Sequence, residues 1–138
     1  MQRIPPVYFK MIEFELYNYD NTKAEIETLK DEIISGPAIV LEGDRVQKTT
    51  ISDPTFARAA VLATNTTLLY MERTLNAIDR ALMRLSEEHN EVFEHRYRHG
   101  KNWRQSVCEL CISQDTYFKR RREIINAVAA QLGLALPV

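Results

Sequence analysis

At 138 residues the chain is long enough for one domain with a sizeable core, or one small domain plus an arm. Its 45% apolar and 27% charged side chains are those of an ordinary globular protein, and only four glycines in a chain dense in Leu, Ala, Glu, Arg and Ile lean it toward helix. The net charge of −1 names no partner, and the lack of a leader-like N-terminus or an apolar run of roughly 20 residues leaves neither export nor a membrane span expected.

The distribution of charge is more telling than its sum. Residues 1–58 carry 7 Lys/Arg against 10 Asp/Glu, whereas residues 96–122 carry 8 against 2. A positive field is thereby concentrated on one C-terminal stretch, the footprint expected of a nucleic-acid-binding face. The two cysteines, in a chain with no export signal, read as reduced thiols in a cytoplasm.

In chain order, residues 1–20 place Tyr8, Phe9, Phe14, Tyr17 and Tyr19 after Pro5-Pro6. Phe9, Ile12 (or Glu13) and Leu16 fit a helical face, with strand-like alternation almost as good a fit, and the piece reads as an arm or first helix that packs on something larger. Its aromatics read as core rather than as a base-stacking surface, because acidic residues interrupt them. Residues 22–34 follow as a helix, with Thr22 and Glu25 as a capping box, Ile26, Leu29 and Ile33 on one face, and Gly36-Pro37 as the stop. Residues 36–52 read as a loop with room for a small hairpin, where Arg45 and Lys48 are conceivable phosphate contacts. Asp53-Pro54 then starts the longest periodic run. Ala57, Val61, Thr64, Leu68, Met71, Leu75, Ile78, Leu82 and Leu85 form a heptad seam, predicting a helix roughly 45–50 Å long that acts as a spine and supplies a subunit contact. Asn65, Thr66 and Thr67 mark its weakest point.

Ser86 caps the next helix, with Glu87 and Glu88 in its first turn, Arg96 and Arg98 in its last, and Val92, Phe93 and Tyr97 as its apolar face. Asn102 caps another, with Gln105 as the reciprocal member of the box and Val107, Leu110 and Cys111 as the stripe. Ser113 caps the last helix, which carries Lys119, Arg120, Arg121 and Arg122, continues through Ile124, Val128 and Leu132, and ends at Gly133. Two capped helices about ten residues apart, the second basic, are the outline of a DNA-binding helix-turn-helix.

Enzyme chemistry is hard to find. There is no glycine-rich phosphate loop, no catalytic pair of carboxylates and no nucleophile motif. His95-x3-His99 with Cys108-x2-Cys111 has zinc-ligand composition. However, a C-x2-C inside a predicted helix lacks the turn such ligands need, and Cys111 falls on the apolar stripe, so no metal and no cofactor is assigned. His89 reads as a surface residue. If Tyr117 faces the core, steps of 100° turn Arg121, Ile124 and Val128 the same way and Asp115, Lys119 and Arg122 outward, with Phe118 at the border. Gln114, Asp115, Lys119 and Arg122 are therefore the candidate base-edge contacts. Arg104, Gln105, Arg120 and Arg121 are the candidate backbone contacts, with Arg121 at the core edge, and Ser113 and Thr116 at the helix start complete the DNA-binding set.

Residues 91–123 resemble the trihelical DNA-binding unit in the fourth region of bacterial sigma factors, through Arg96-Tyr97, Trp103 and the Ile112-Ser113 turn. Over nearly the whole chain the layout resembles RinA-type and ArpU-type phage transcriptional regulators. The carriers, in order, are Glu15-Leu16-Tyr17-Asn18-Tyr19, Thr22-Lys23 with Ile26, Ser52-Asp53-Pro54-Thr55, the long helix and the sigma-like module. Arg120 stands where that pattern has an aromatic residue, and two cysteines occupy a usually Ala-rich supporting helix. The resemblance implies a phage activator of late genes, acting on double-stranded DNA with host RNA polymerase in the bacterial cytoplasm. It is set against two alternatives: a small terminase subunit, in which the DNA-binding module would come first, and a helical interaction protein that binds no DNA. The expected organisation is all-α and non-enzymatic. Residues 1–85 form a helical region whose central helix supports a homodimer, and residues 86–138 form the helix-turn-helix domain.

Overall fold

The computed structural model describes residues 4–35 and 65–134. The fold is all-α, with six helices and no strand among the described residues. They are α1 (Pro6–Tyr17), α2 (Tyr19–Ser35), α3 (Thr66–Arg84), α4 (Glu87–Phe93), α5 (Trp103–Leu110) and α6 (Gln114–Leu132). None of them is long and apolar enough to cross a membrane. The hairpin expected within 36–52, the Asp53-Pro54 start and the seam residues Ala57, Val61 and Thr64 lie outside the described residues.

The chain divides into two compact units, one of Met1–Asn21 with Arg73–Val138, the other of Thr22–Glu72. The division expected at 85/86 is therefore not where the contacts part: α1 shares a core with the C-terminal helices. Ile12 and Leu16 of α1 and Ile78 of α3 are buried there with Val92 and Phe93 of α4 and with Tyr117, Ile124 and Val128 of α6. Each such side chain contributes about 1.5–3 kcal/mol through removal from water. Ser106 of α5 is also fully buried, and its hydroxyl has no hydrogen-bond partner among the described residues.

Local signals set most helix ends in this unit. Pro5 and Pro6 open α1, where a missing N–H is harmless. Ser86 caps α4 by accepting the His89 amide. α4 then passes directly into a π-helical turn, Glu94–Arg98, closed by the His99 amide donating to the Glu94 carbonyl at 2.9 Å. Gly100, at φ +65°, turns the chain toward α5. At the far end α6 stops at Gly133 (φ +77°). The Leu134 amide donates to the Ala129 carbonyl at 2.8 Å and the Gly133 amide to that of Ala130 at 3.2 Å, a Schellman closure.

One predicted cap is corrected. α2 begins at Tyr19, so Thr22 lies inside the helix and is buried rather than capping it. The cause is tertiary. The Tyr19 hydroxyl donates to Asp79 at 2.6 Å and its ring meets Phe93 edge-on at 5.4 Å, which fixes the chain in helix three residues before the local signal. Burial and the Asp79 carboxylate push the Tyr19 phenol up to about 12.

In the second unit, Ile26 and Ile33 of α2 are buried and Leu29 is half-buried, as their spacing predicts. Leu68 of α3 is buried, and the Leu68 amide donates to the Asn65 side chain at 2.8 Å. Asn65 thus stands in the capping position of α3 as described from Thr66 onward. Lys30 and Glu72 pair at 2.7 Å.

Candidate nucleic-acid interface

α5 and α6 are joined by three residues, Cys111, Ile112 and Ser113. Asn102 caps α5, its side-chain oxygen accepting the Gln105 amide at 2.8 Å. The reciprocal arm of the expected box is not formed, because the Gln105 side chain runs forward to donate to Glu109 at 3.3 Å. α5 ends at Leu110, and Cys111 takes the left-handed conformation (φ 58°, ψ 45°) usually given to glycine. Cys111 therefore lies beyond the helix and is exposed, which corrects its placement on the apolar stripe; Val107, Leu110 and Ile112 pack on the core. Ser113 caps α6, accepting the Thr116 amide at 3.1 Å while its hydroxyl donates to the Thr116 hydroxyl at 2.9 Å. Trp103 meets the Phe118 ring at 5.9 Å, holding the start of α5 against the first turns of α6.

This packing fixes the azimuth of α6. Tyr117, Ile124 and Val128 are buried, Phe118 is half-buried, and Gln114, Asp115, Lys119 and Arg122 face solvent. Asp115, Lys119 and Arg122 form one exposed row at spacings of four and three. Arg104 and Gln105 are exposed on α5, the Arg104 guanidinium lying 5.3 Å from the centre of the Trp103 ring. Thr116 and Arg120 are half-buried.

The basic stretch separates into two classes. Arg96 and Arg121 pair with Glu13, Arg98 with Asp20 and Glu94, and Lys101 with Glu109. Arg104, Lys119, Arg120 and Arg122 make no ion pair among the described residues. Lys119 and Arg122, three residues apart on the exposed row of α6, repel each other, which costs stability by a few tenths of a kcal/mol. With Arg104 they also leave a positive surface at the start of α6 and on α5.

Arg121 belongs wholly to the first class. Its Nε and Nη2 donate to the two oxygens of Glu13 at 2.8 Å each, a bidentate fork. Its guanidinium lies 5.1 Å from the Phe9 ring and 5.8 Å from that of Phe118. Glu13 Oε2 also accepts from Arg96 Nε at 3.2 Å and from the Tyr97 hydroxyl at 2.7 Å, and Arg96 Nη1 donates to the Tyr117 hydroxyl at 3.1 Å. Burial pushes the Glu13 carboxyl up, but the Arg121 and Tyr97 hydrogen bonds and the charges of Arg121 and Arg96 outweigh it and hold the group below the usual 4.5. Burial and the adjacent carboxylate together raise the Tyr97 phenol well above its ordinary range.

Two half-buried polar residues, Glu13 and His89, escape sequence reasoning. Glu13 was legible only as an alternative to Ile12 on the helical face; a carboxylate on a core-facing stripe is the one signal that it meets buried cations. His89, expected at the surface, is half-buried: Nε2 donates to Glu123 at 2.7 Å and Nδ1 lies 2.7 Å from the Ser86 hydroxyl, tying the start of α4 to α6. The four-ligand idea at the cysteines gains no geometry. His95 faces Glu109 at 3.5 Å, Cys111 Sγ turns back to the Cys108 carbonyl at 3.8 Å, and no group of three metal-ligating side chains comes together among the described residues.

Compared with known proteins, residues 14–130 match one family, described as a protein of unknown function (DUF722). No curated protein and no solved structure is significantly similar to the chain.

Proposed function

The chain belongs to the DUF722 family, and we propose that it is a sequence-specific DNA-binding transcriptional activator of phage late genes that acts with host RNA polymerase in the bacterial cytoplasm. In this reading α5, the three-residue turn and α6 are a helix-turn-helix, and α6 enters the major groove. Gln114, Asp115, Lys119 and Arg122 meet base edges, while Arg104, Gln105, Ser113, Thr116 and Arg120 approach the phosphates. No catalytic step, cofactor or metal is part of it, and the central helix supplies a homodimer contact.

The observation that carries the reading is the division of the cations. Half are held in ion pairs within the fold, whereas Arg104, Lys119, Arg120 and Arg122 make no ion pair among the described residues, with Arg104, Lys119 and Arg122 on exposed faces of α5 and α6. Desolvating cations that have no internal partner costs no existing ion pair, which suits a polyanionic surface. The resemblance to sigma-like phage regulators adds the promoter context.

Selection of bound sequences from a random duplex pool is the direct test. One enriched site is expected, with Lys119→Ala and Arg122→Ala each weakening it by about 1–3 kcal/mol and relaxing preference at distinct positions. Arg104→Ala should weaken all sequences alike and lower the salt slope by about one. A pool with no enriched site, or unchanged preference after both substitutions in α6, would sink the assignment. A solution mass corresponding to a ring of about eight or more subunits would move the reading to the small terminase subunit of a packaging motor.

A further inference from the structure

Within its compact unit the reading helix is held from the opposite end of the chain. We propose that Glu13, in the N-terminal helix, is a positioning residue for DNA recognition: its carboxylate clamps Arg121 and thereby sets the direction in which Lys119 and Arg122 project. The inference rests on the DNA-binding reading and extends the recognition apparatus to a residue 108 positions upstream of the helix it holds.

The geometry is specific. Both oxygens of Glu13 grip the Arg121 fork, so the guanidinium has one orientation rather than a cone of them. Phe9, one turn before Glu13 on α1, lies against the same guanidinium, with Phe118 of α6 also within reach of it. The second anchors on Glu13, Arg96 and Tyr97, come from the π-helical turn, and Arg96 also reaches the Tyr117 hydroxyl of α6. One carboxylate therefore fastens α1 both to the π-helical turn that follows α4 and to α6.

Arg121 is the neighbour of Arg122 and two residues from Lys119, so on a rigid helix its azimuth determines theirs. At a radius of about 5–6 Å, a rotation of ~20° carries a side-chain tip about 2 Å. Bidentate base contacts survive misplacement of only about 0.5 Å. Glu13 itself is three-quarters or more shielded, and its charge is of the wrong sign for DNA, so it acts through Arg121 and not by contact.

The test uses the full chain and the duplex selected by the unaltered protein, with an unrelated duplex as reference and folding verified by circular dichroism at the assay temperature. Glu13→Gln is expected to lower the ratio of selected to unrelated affinity about tenfold. Arg121→Lys keeps the charge but breaks the fork, and is expected to do the same. The pair acts as a unit, so the Glu13→Gln, Arg121→Lys double variant should lose no more than either single one. Amide exchange over residues 114–123 should be faster in both single variants. Folded variants that keep the ratio overturn the inference while the DNA reading stands. So does an Arg121→Lys variant in which only the salt slope changes, since Arg121 would then contact phosphate directly. An unaltered protein without sequence preference overturns the DNA reading itself, a result that the exchange measurement does not mimic.

Discussion

Glu13 makes acid stability a residue-scale property of this protein. Its folded carboxyl titrates below the ordinary 4.5, against the pull of burial, because Arg121 and Tyr97 hydrogen-bond the charged form and Arg96 adds a second cation. A depressed folded value contributes stability that is complete above the unfolded value and is lost as pH falls through the folded one. Urea midpoints followed between about pH 3 and 6 should therefore decline below roughly 4.5 in the unaltered protein. Glu13→Gln should start lower and lack that component of the decline; parallel curves would show that the carboxylate is not the group responsible. The residue was barely legible beforehand. Ile12 and Glu13 are adjacent, both fit the helical spacing, and the partners that decide between them lie 83 to 108 positions away.

At the scale of elements, the local signals were legible where nothing distant competed. Ser86, Asn102, Ser113 and Gly133 sit at the helix ends that their chemistry predicts. Thr22 does not, because the bond from Tyr19 to Asp79 starts the helix sooner. The outward row on α6 was also readable, since a fixed 100° step needs only one core residue, Tyr117, to orient it. The turn was misread by one residue at Cys111, whose apolar side chain suggested helix where the backbone is left-handed. A non-glycine residue in that conformation costs about 1–2 kcal/mol, partly offset by the smaller entropy it loses on folding. Cys111→Gly is therefore expected to stabilise by up to about 1 kcal/mol, raising the thermal midpoint by a few degrees. A lowered midpoint would mean that the exposed thiol, which faces the Cys108 carbonyl, contributes more than this geometry allows.

For the whole molecule, the charge asymmetry visible in the sequence has two meanings that only packing separates. Composition counts Arg96, Arg98, Lys101 and Arg121 with the surface field, yet each is paired within the fold. The core likewise ignores the boundary that caps and linkers suggest, because Ile12 and Leu16 fill it from the opposite end of the chain. A fragment of residues 86–138 would lose those two side chains and leave Arg96 and Arg121 without their counter-charge. Removing one partner of such a partly buried ionic group costs on the order of 3–5 kcal/mol, comparable to the stability of a small domain. The fragment is thus expected to show no cooperative melt by circular dichroism; a sharp transition would establish the C-terminal helices as self-sufficient.

The π-helical turn and α6 also set an order in time. α1 leaves the ribosome early, but the arginine that closes on it follows 108 residues later. Until then Glu13 lacks the fork that Arg121 supplies and Ile12 and Leu16 lack Tyr117, Ile124 and Val128, and contacts this far apart in sequence are slow to form. Synthesis, not only sequence, then decides when this core can close: a ribosome stalled before the last helix would carry a chain in which α1 has not yet met α6.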